Sequence, residues 1–187
     1  MSMPSQPLVL ASAVADSTAL TNSTTATTIL PVSSVATLPA GVLQVGSTIK
    51  VTLRGRISTV ATTPGTMTFD MRLGTVVISS LGAITLNTTA QTNAAWELEL
   101  LAVVRTIGTG TTATALVTGK FTSRALVGSG VVTASGNGVM LLPDTAPAVG
   151  TGFDSTVSNA VQVFGTWSVA SATNSITTHQ VFVELKV

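Results

Sequence analysis

Apolar residues recur at every second position over much of this chain. That is the spacing of strands with one buried face, because side chains of a strand alternate between the two sides of a sheet. The longest such stretch runs from Ala94 to Leu126. Trp96, Leu98, Leu100, Ala102 and Val104 fall on one face, and Glu97, Glu99 and Arg105 on the other. Gly108 and Gly110 lie in a Thr-rich tip suited to a reversal. Alternation then resumes, with Ala113, Ala115, Val117, Gly119 and Phe121 opposed to Thr114, Thr118, Lys120, Thr122 and Arg124. A hairpin folded at the tip puts Lys120 beside Glu99 and Phe121 beside Leu98, so the charge and apolar patterns agree on one register.

The same reading extends along the rest of the chain. Ile49, Val51, Leu53 and Ile57 share a face, with Gly55 at an inward position where packing is tight; Met67, Phe69, Met71 and Leu73 share another. Val161, Val163, Gly165, Trp167 and Val169 form a third row, and Val181, Val183, Leu185 and Val187 a fourth. Pro31 interrupts Ile29, Leu30, Val32, Val35 and Leu38, which predicts a short bent edge strand. Gly136-Asn137-Gly138 is a turn signal between Val131–Ala134 and Val139–Leu142. Residues 82–92 read as a polar connection, and 143–156 as a long surface loop.

No segment carries the i, i+3, i+4, i+7 pattern of an amphipathic helix. The prediction is an all-β chain: an eight-stranded antiparallel β-sandwich of jelly-roll topology, with strands at 26–37, 47–59, 66–80, 94–107, 112–126, 131–142, 159–170 and 176–187. That topology makes the fourth and fifth strands neighbours and puts the last two in different sheets. The second requirement conflicts with a simple hairpin through Ser171–Ser175. Residues 1–25 show no sustained period and are expected to form an extended N-terminal arm, ordered against a neighbour or not at all, ahead of a single domain at 26–187.

Composition narrows the function. Hydrophobic residues make up 45% of the 187 and charged residues 8%, against roughly 25% in an average soluble chain. A surface built from Thr, Ser, Asn and Gln repels its own copies weakly, which favours a permanent homo-oligomeric assembly. Eight Lys and Arg against seven Asp and Glu, scattered singly, provide no basic field for nucleic acid. No apolar run reaches the roughly 20 residues of a membrane span, and no basic region precedes Leu8–Ala15 as a secretory signal requires. There is no Cys, so neither disulfides nor thiolate metal sites are available.

Candidate chemistry is sparse, and neither a catalytic residue nor a metal or other cofactor site is expected. His179 is the only histidine and has no nucleophile elbow to serve; its alternation with Val181 and Val183 suggests a partly buried, hydrogen-bonded side chain. Glu97 and Glu99 have the look of a glycosidase pair, but ion pairs with Lys120 and Arg124 explain them more simply. Asp70 and Arg72 read as solvated positions. Gly128-Ser129-Gly130 reads as a turn, since no helix follows to present amides to a phosphate. The Asn22 and Asn87 glycosylation patterns arise easily in a Thr-rich chain. Leu101, Val103, Leu116, Phe164 and Phe182 are more informative, because each is apolar on a face that is otherwise polar. Covering loops or a subunit or capsid interface would explain them.

Leu38-Pro-Ala-Gly-Val-Leu43, Val45-Gly-Ser-Thr-Ile-Lys-Val-Thr-Leu-Arg-Gly-Arg56, Trp96-Glu-Leu-Glu-Leu100 and Val104-Arg-Thr-Ile-Gly108 resemble segments of tailed-bacteriophage jelly-roll virion proteins. The resemblance covers about residues 38–126. It implies a non-enzymatic structural role on the capsid exterior, as a decoration or cement protein. It further implies a trimer bound to the major capsid protein, with a terminal arm clasping adjacent subunits. The alternative is a receptor- or glycan-binding module of a tail fibre or head spike. Trp96 or Trp167 would then stack on sugar, although both lie on apolar faces, and Phe153 would be a surface-loop aromatic to test.

Overall fold

The computed structural model describes residues 6–126 and 138–187. The strands are β1 (Leu8–Ser12), β2 (Leu20–Thr21), β3 (Thr27–Thr28), β4 (Ala36–Leu38), β5 (Thr48–Thr59) and β6 (Thr66–Leu73). They continue with β7 (Val76–Thr85), β8 (Gln91–Thr106), β9 (Thr114–Ser123), β10 (Gly138–Leu142), β11 (Asn159–Trp167) and β12 (Ser175–Lys186). Two antiparallel sheets pack as a sandwich. Sheet A has the order β1-β12-β5-β8-β9-β10, with β2 also on β12; sheet B has the order β3-β11-β6-β7, with β4 also on β11.

The β8–β9 hairpin has the register that alternation requires: Glu99 faces Lys120 and Leu98 faces Phe121. Apolar faces of both sheets meet in one core. At its centre Phe69 of sheet B packs on Phe121 and Trp96 of sheet A, with centroid separations of 5.2 and 6.5 Å. The β11 and β12 strands lie in different sheets, so residues 168–174 form a crossover and not a hairpin. Asn174 builds that crossover: buried, it accepts from the Val60 amide at 2.9 Å and donates to the Pro64 carbonyl at 3.0 Å.

Several boundaries differ from the sequence expectation, each for a physical reason. Twelve strands replace eight among the described residues. The 66–80 segment is not one strand but a β6–β7 hairpin, because Gly74 adopts φ +60°, a conformation open to glycine at little cost. Strand β7 continues to Thr85 and β8 begins at Gln91, which shortens the connection expected over 82–92. The 26–37 segment holds only β3, a 3₁₀ turn at Val32–Ser34 and β4, all beside β11. Part of 131–142, together with Gly128-Ser129-Gly130 and the Gly136-Asn137 turn, lies outside the described residues.

The 143–156 segment is a surface loop as expected, with 144–149 all exposed, but it is anchored to the sandwich. Its backbone pairs with the free edge of β9 at Ala113–Phe153 and Leu116–Val149, and the Asp144 amide donates to Leu81 of β7. Phe153 is fully buried. The segment closes one flank of the sandwich and satisfies edge groups that would otherwise pair with another chain.

Residues 6–25 run along the chain's own sandwich. Strand β1 pairs with β12, Leu20 enters the core, and its carbonyl accepts from Trp167 Nε1 at 3.1 Å. Ser17 makes two contacts with Thr178: its amide donates to the Thr178 carbonyl, and its hydroxyl accepts from the Thr178 amide, both at 2.9 Å. These bonds hold a bulge in β12 between Thr178 and Gln180.

Candidate interaction surface

The outer face of sheet A carries four of the five apolar residues that stand out in the sequence. Leu101 and Val103 are two apart on β8, Val103 faces Leu116 of β9, and Leu116 bridges to Val149. Together they make a continuous apolar band across the sheet. Leu101 is 40% exposed despite its central strand. Phe182, at 47%, lies on the same face of β12, facing Thr52 of β5 and Ser12 of β1. Phe164 is separate. It lies on the outer face of sheet B, where the Arg72 guanidinium covers its ring at 3.8 Å from the centroid. Arg72 also meets Asp70 at 3.2 Å, so these two are half-buried partners and not freely solvated positions.

Beside the band, a groove of about 640 Å³ opens over β8, β9 and β10. Leu101 and Thr118 line its floor, Leu141, Pro143 and Pro147 form one wall, and Lys50, Glu99 and Lys120 reach its rim. Proline rings fix the wall's backbone, so the hollow is preformed. Leu141 is 77% exposed.

The rim carries two ammonium groups, Lys50 and Lys120, against the Glu99 carboxylate. Lys120 Nζ lies 3.1 Å from Glu99 and 3.9 Å from Glu97, and Arg54 Nε meets Glu97 at 2.5 Å. The ion pairs of Glu97 thus run to Lys120 and to Arg54 on the neighbouring β5, and Arg54 takes the place expected for Arg124. The register explains this, because Arg54 is directly opposite Glu97. The pair does not form an isolated acid and base, since both carboxylates share one network of cations.

His179 is the extra residue of the β12 bulge and so leaves the alternation that grouped it with Val181 and Val183. Its Nδ1 is 2.8 Å from Asp16 Oδ1. That partner lies 163 positions away in the numbering and only the fold reveals it. Both indoles are core groups, with Trp96 nearly and Trp167 fully buried. Phe153 is buried as well, which removes it as a surface-loop aromatic.

Asp154 organises the loops at the end where β8 turns into β9. Its carboxylate accepts from the Gly110 amide at 2.8 Å and from the Thr156 amide and hydroxyl at 2.8 and 2.6 Å. The Thr156 hydroxyl above all, then the two amides, holds its pKa below the usual 3.8. Next to it Ser155 bonds to Gly108 and Gly41, joining three loops. Among the described residues no three His, Asp or Glu side chains group to hold a metal ion, and no helix is long and apolar enough to cross a membrane.

No protein-family model, curated protein or solved structure matches this chain.

Proposed function

We propose that this chain is a non-enzymatic virion protein of a tailed bacteriophage: a jelly-roll decoration, or cement, protein. It binds the outer surface of the head as a homo-oligomer, a trimer, and reinforces the lattice of the major capsid protein. The observation that carries the reading is the exposed apolar band and groove on sheet A, set in a surface with few charges where Glu97 and Glu99 are paired to cations. Such a surface suits burial against protein better than chemistry on a small polar substrate.

The strand order supports the jelly-roll part of the reading. If β1 with β2, and β3 with β4, each count as one broken strand, and the β9–β10 hairpin as an extension, sheet A runs 1-8-3-6 and sheet B runs 2-7-4-5. That is the order of two interleaved Greek keys. An oligomer meets several lattice sites at once, so weak single contacts add up to slow release.

The test is re-binding of purified protein to heads that lack it, followed by sedimentation. Saturation at a fixed ratio to capsid subunits, with heads that resist heat or low salt better than bare ones, is the expected result. Absence of binding to mature heads overturns the proposal and turns attention to host-cell glycans, for which Phe182 is the exposed aromatic ring to substitute.

A further inference from the structure

A second hollow, of about 820 Å³, opens between β2 on sheet A and β3 on sheet B, and it shares no residue with the groove beside β10. Its size is that of a small-molecule site. Its lining differs in kind from the groove's: four Thr and two Ser contribute to it, and Asp16 is its one charged residue.

The polar groups of this lining are partly committed and partly free. Thr27 Oγ1 donates to the Thr25 carbonyl at 3.0 Å and Thr21 Oγ1 to the Ala172 carbonyl at 3.3 Å, so both oxygens keep lone pairs for an incoming donor. Ser23 Oγ accepts from the Thr25 amide at 3.1 Å and keeps its own proton to give. Asp16 has one carboxylate oxygen on His179 Nδ1 at 2.8 Å, which leaves the other as an acceptor. The hollow thus presents acceptors and a donor together. A ligand rich in hydroxyls needs both, because each hydroxyl gives one hydrogen bond and takes others.

The walls are held by the sandwich. Strand β2 is laddered to β12 at Ser175 and Ile176, and β3 to β11 at Phe164 and Gly165. Beyond β3, a 2.9 Å bond from the Ser34 amide to the Pro31 carbonyl closes the 3₁₀ turn that sets Pro31 and Val32 in the lining. Val32 is 93% exposed and offers an aliphatic surface to the C–H face of a sugar ring. Walls fixed in this way lose little freedom when a ligand binds.

Charge narrows the class further. No Lys or Arg lines the hollow and no charged residue occurs from Ser17 to Ile49, so an anionic ligand meets Asp16 with no cation to offset it. A cation gains little from a single carboxylate that is 61% exposed and already bonded to His179. A ligand without hydroxyls leaves the polar lining unpaired.

We infer that the hollow between β2 and β3 binds a neutral oligosaccharide, Asp16, Thr21, Ser23 and Thr27 bonding its hydroxyls and Val32 meeting its C–H face. This site does not depend on the decoration reading. Failure to bind heads defeats decoration only, and a chain that binds heads but no sugar defeats this site only.

The experiment is saturation-transfer NMR on the full chain with chitotetraose, maltotetraose, mannotetraose and galactotetraose as neutral probes, beside anionic sialyllactose and cationic spermidine. Ala19 is exposed in the lining, so Ala19→Arg fills the hollow without touching the core, and an unchanged melting temperature confirms that the variant is folded. The expected result is transfer to at least one neutral probe, lost in Ala19→Arg. Asp16→Asn should weaken it about tenfold, since a neutral amide replaces a charged acceptor. Phe182→Ala, on the outer face of sheet A, should leave it unchanged. Silence from every neutral probe overturns the inference, as does transfer to the charged probes alone. A neutral signal that survives Ala19→Arg, or one that disappears with Phe182→Ala, overturns it too, because the sugar is then bound elsewhere.

Discussion

Single residues decide two features that composition cannot convey. Gly55 faces the β12 bulge, and a Cβ there would lie 1.9 Å from the Thr177 carbonyl oxygen, a backbone atom that cannot turn aside. Gly55→Ala should therefore destabilise the domain by about 2–3 kcal/mol, in the upper range for point substitutions. Urea unfolding measures it, and an unchanged midpoint would show that the bulge yields freely. Asp154 sets a dependence on acid. Its folded pKa lies below the unfolded value near 3.8, so the unfolded chain binds its proton first as pH falls. Its stabilising contribution is complete above that value and disappears as pH falls through the lower, folded one. Melting temperatures of wild type and Asp154→Ala should differ at neutral pH and converge at the acid end. The intrinsic preference of the residues was visible in the sequence, but not their partners: Gly55 was read as tightly packed, yet the neighbour that makes it so is a bulge in another strand.

Individual elements show how the N-terminal segment belongs to the domain. Strand β1 is an edge strand with only Leu10 and Ala11 partly buried against the core. Residues 13–21 contribute more, through Ser17 on the bulge and Leu20 in the core. Deleting residues 1–12 should lower the melting temperature modestly. Deleting 1–21 should lower it much further, since it removes a buried leucine, worth about 2–5 kcal/mol, and leaves the Trp167 and Thr178 donors without acceptors at about 1–3 kcal/mol each. Equal losses from the two deletions would contradict this account. Periodicity could not reveal these contacts, because the segment buries isolated residues instead of an alternating row. The long strands β5, β6, β8, β9, β11 and β12 were legible for the opposite reason: each buries one complete face against the other sheet.

At the scale of the whole molecule, one core joins both sheets through Phe69, Trp96 and Phe121. Phe121→Ala should cost about 3–5 kcal/mol, and tryptophan fluorescence and far-ultraviolet circular dichroism should still report one coincident transition. Two separated transitions would mean that the sheets unfold independently. The apolar interruptions at Leu101, Val103, Leu116 and Phe182 were visible as sequence anomalies, but Phe164 looked the same and turned out to be covered by Arg72. The groove was not visible at all, because Pro143 and Pro147 meet Leu101 only after the 143–153 segment has closed the flank. The sequence by itself determined the β class, the inward faces of the long strands and the β8–β9 register, since alternation and a glycine tip act within one hairpin. Only the tertiary structure decided the sheet order, the bulge with its Asp16–His179 pair, and which outward apolar residues stay uncovered. Those depend on contacts between segments distant in the chain, which no local pattern records.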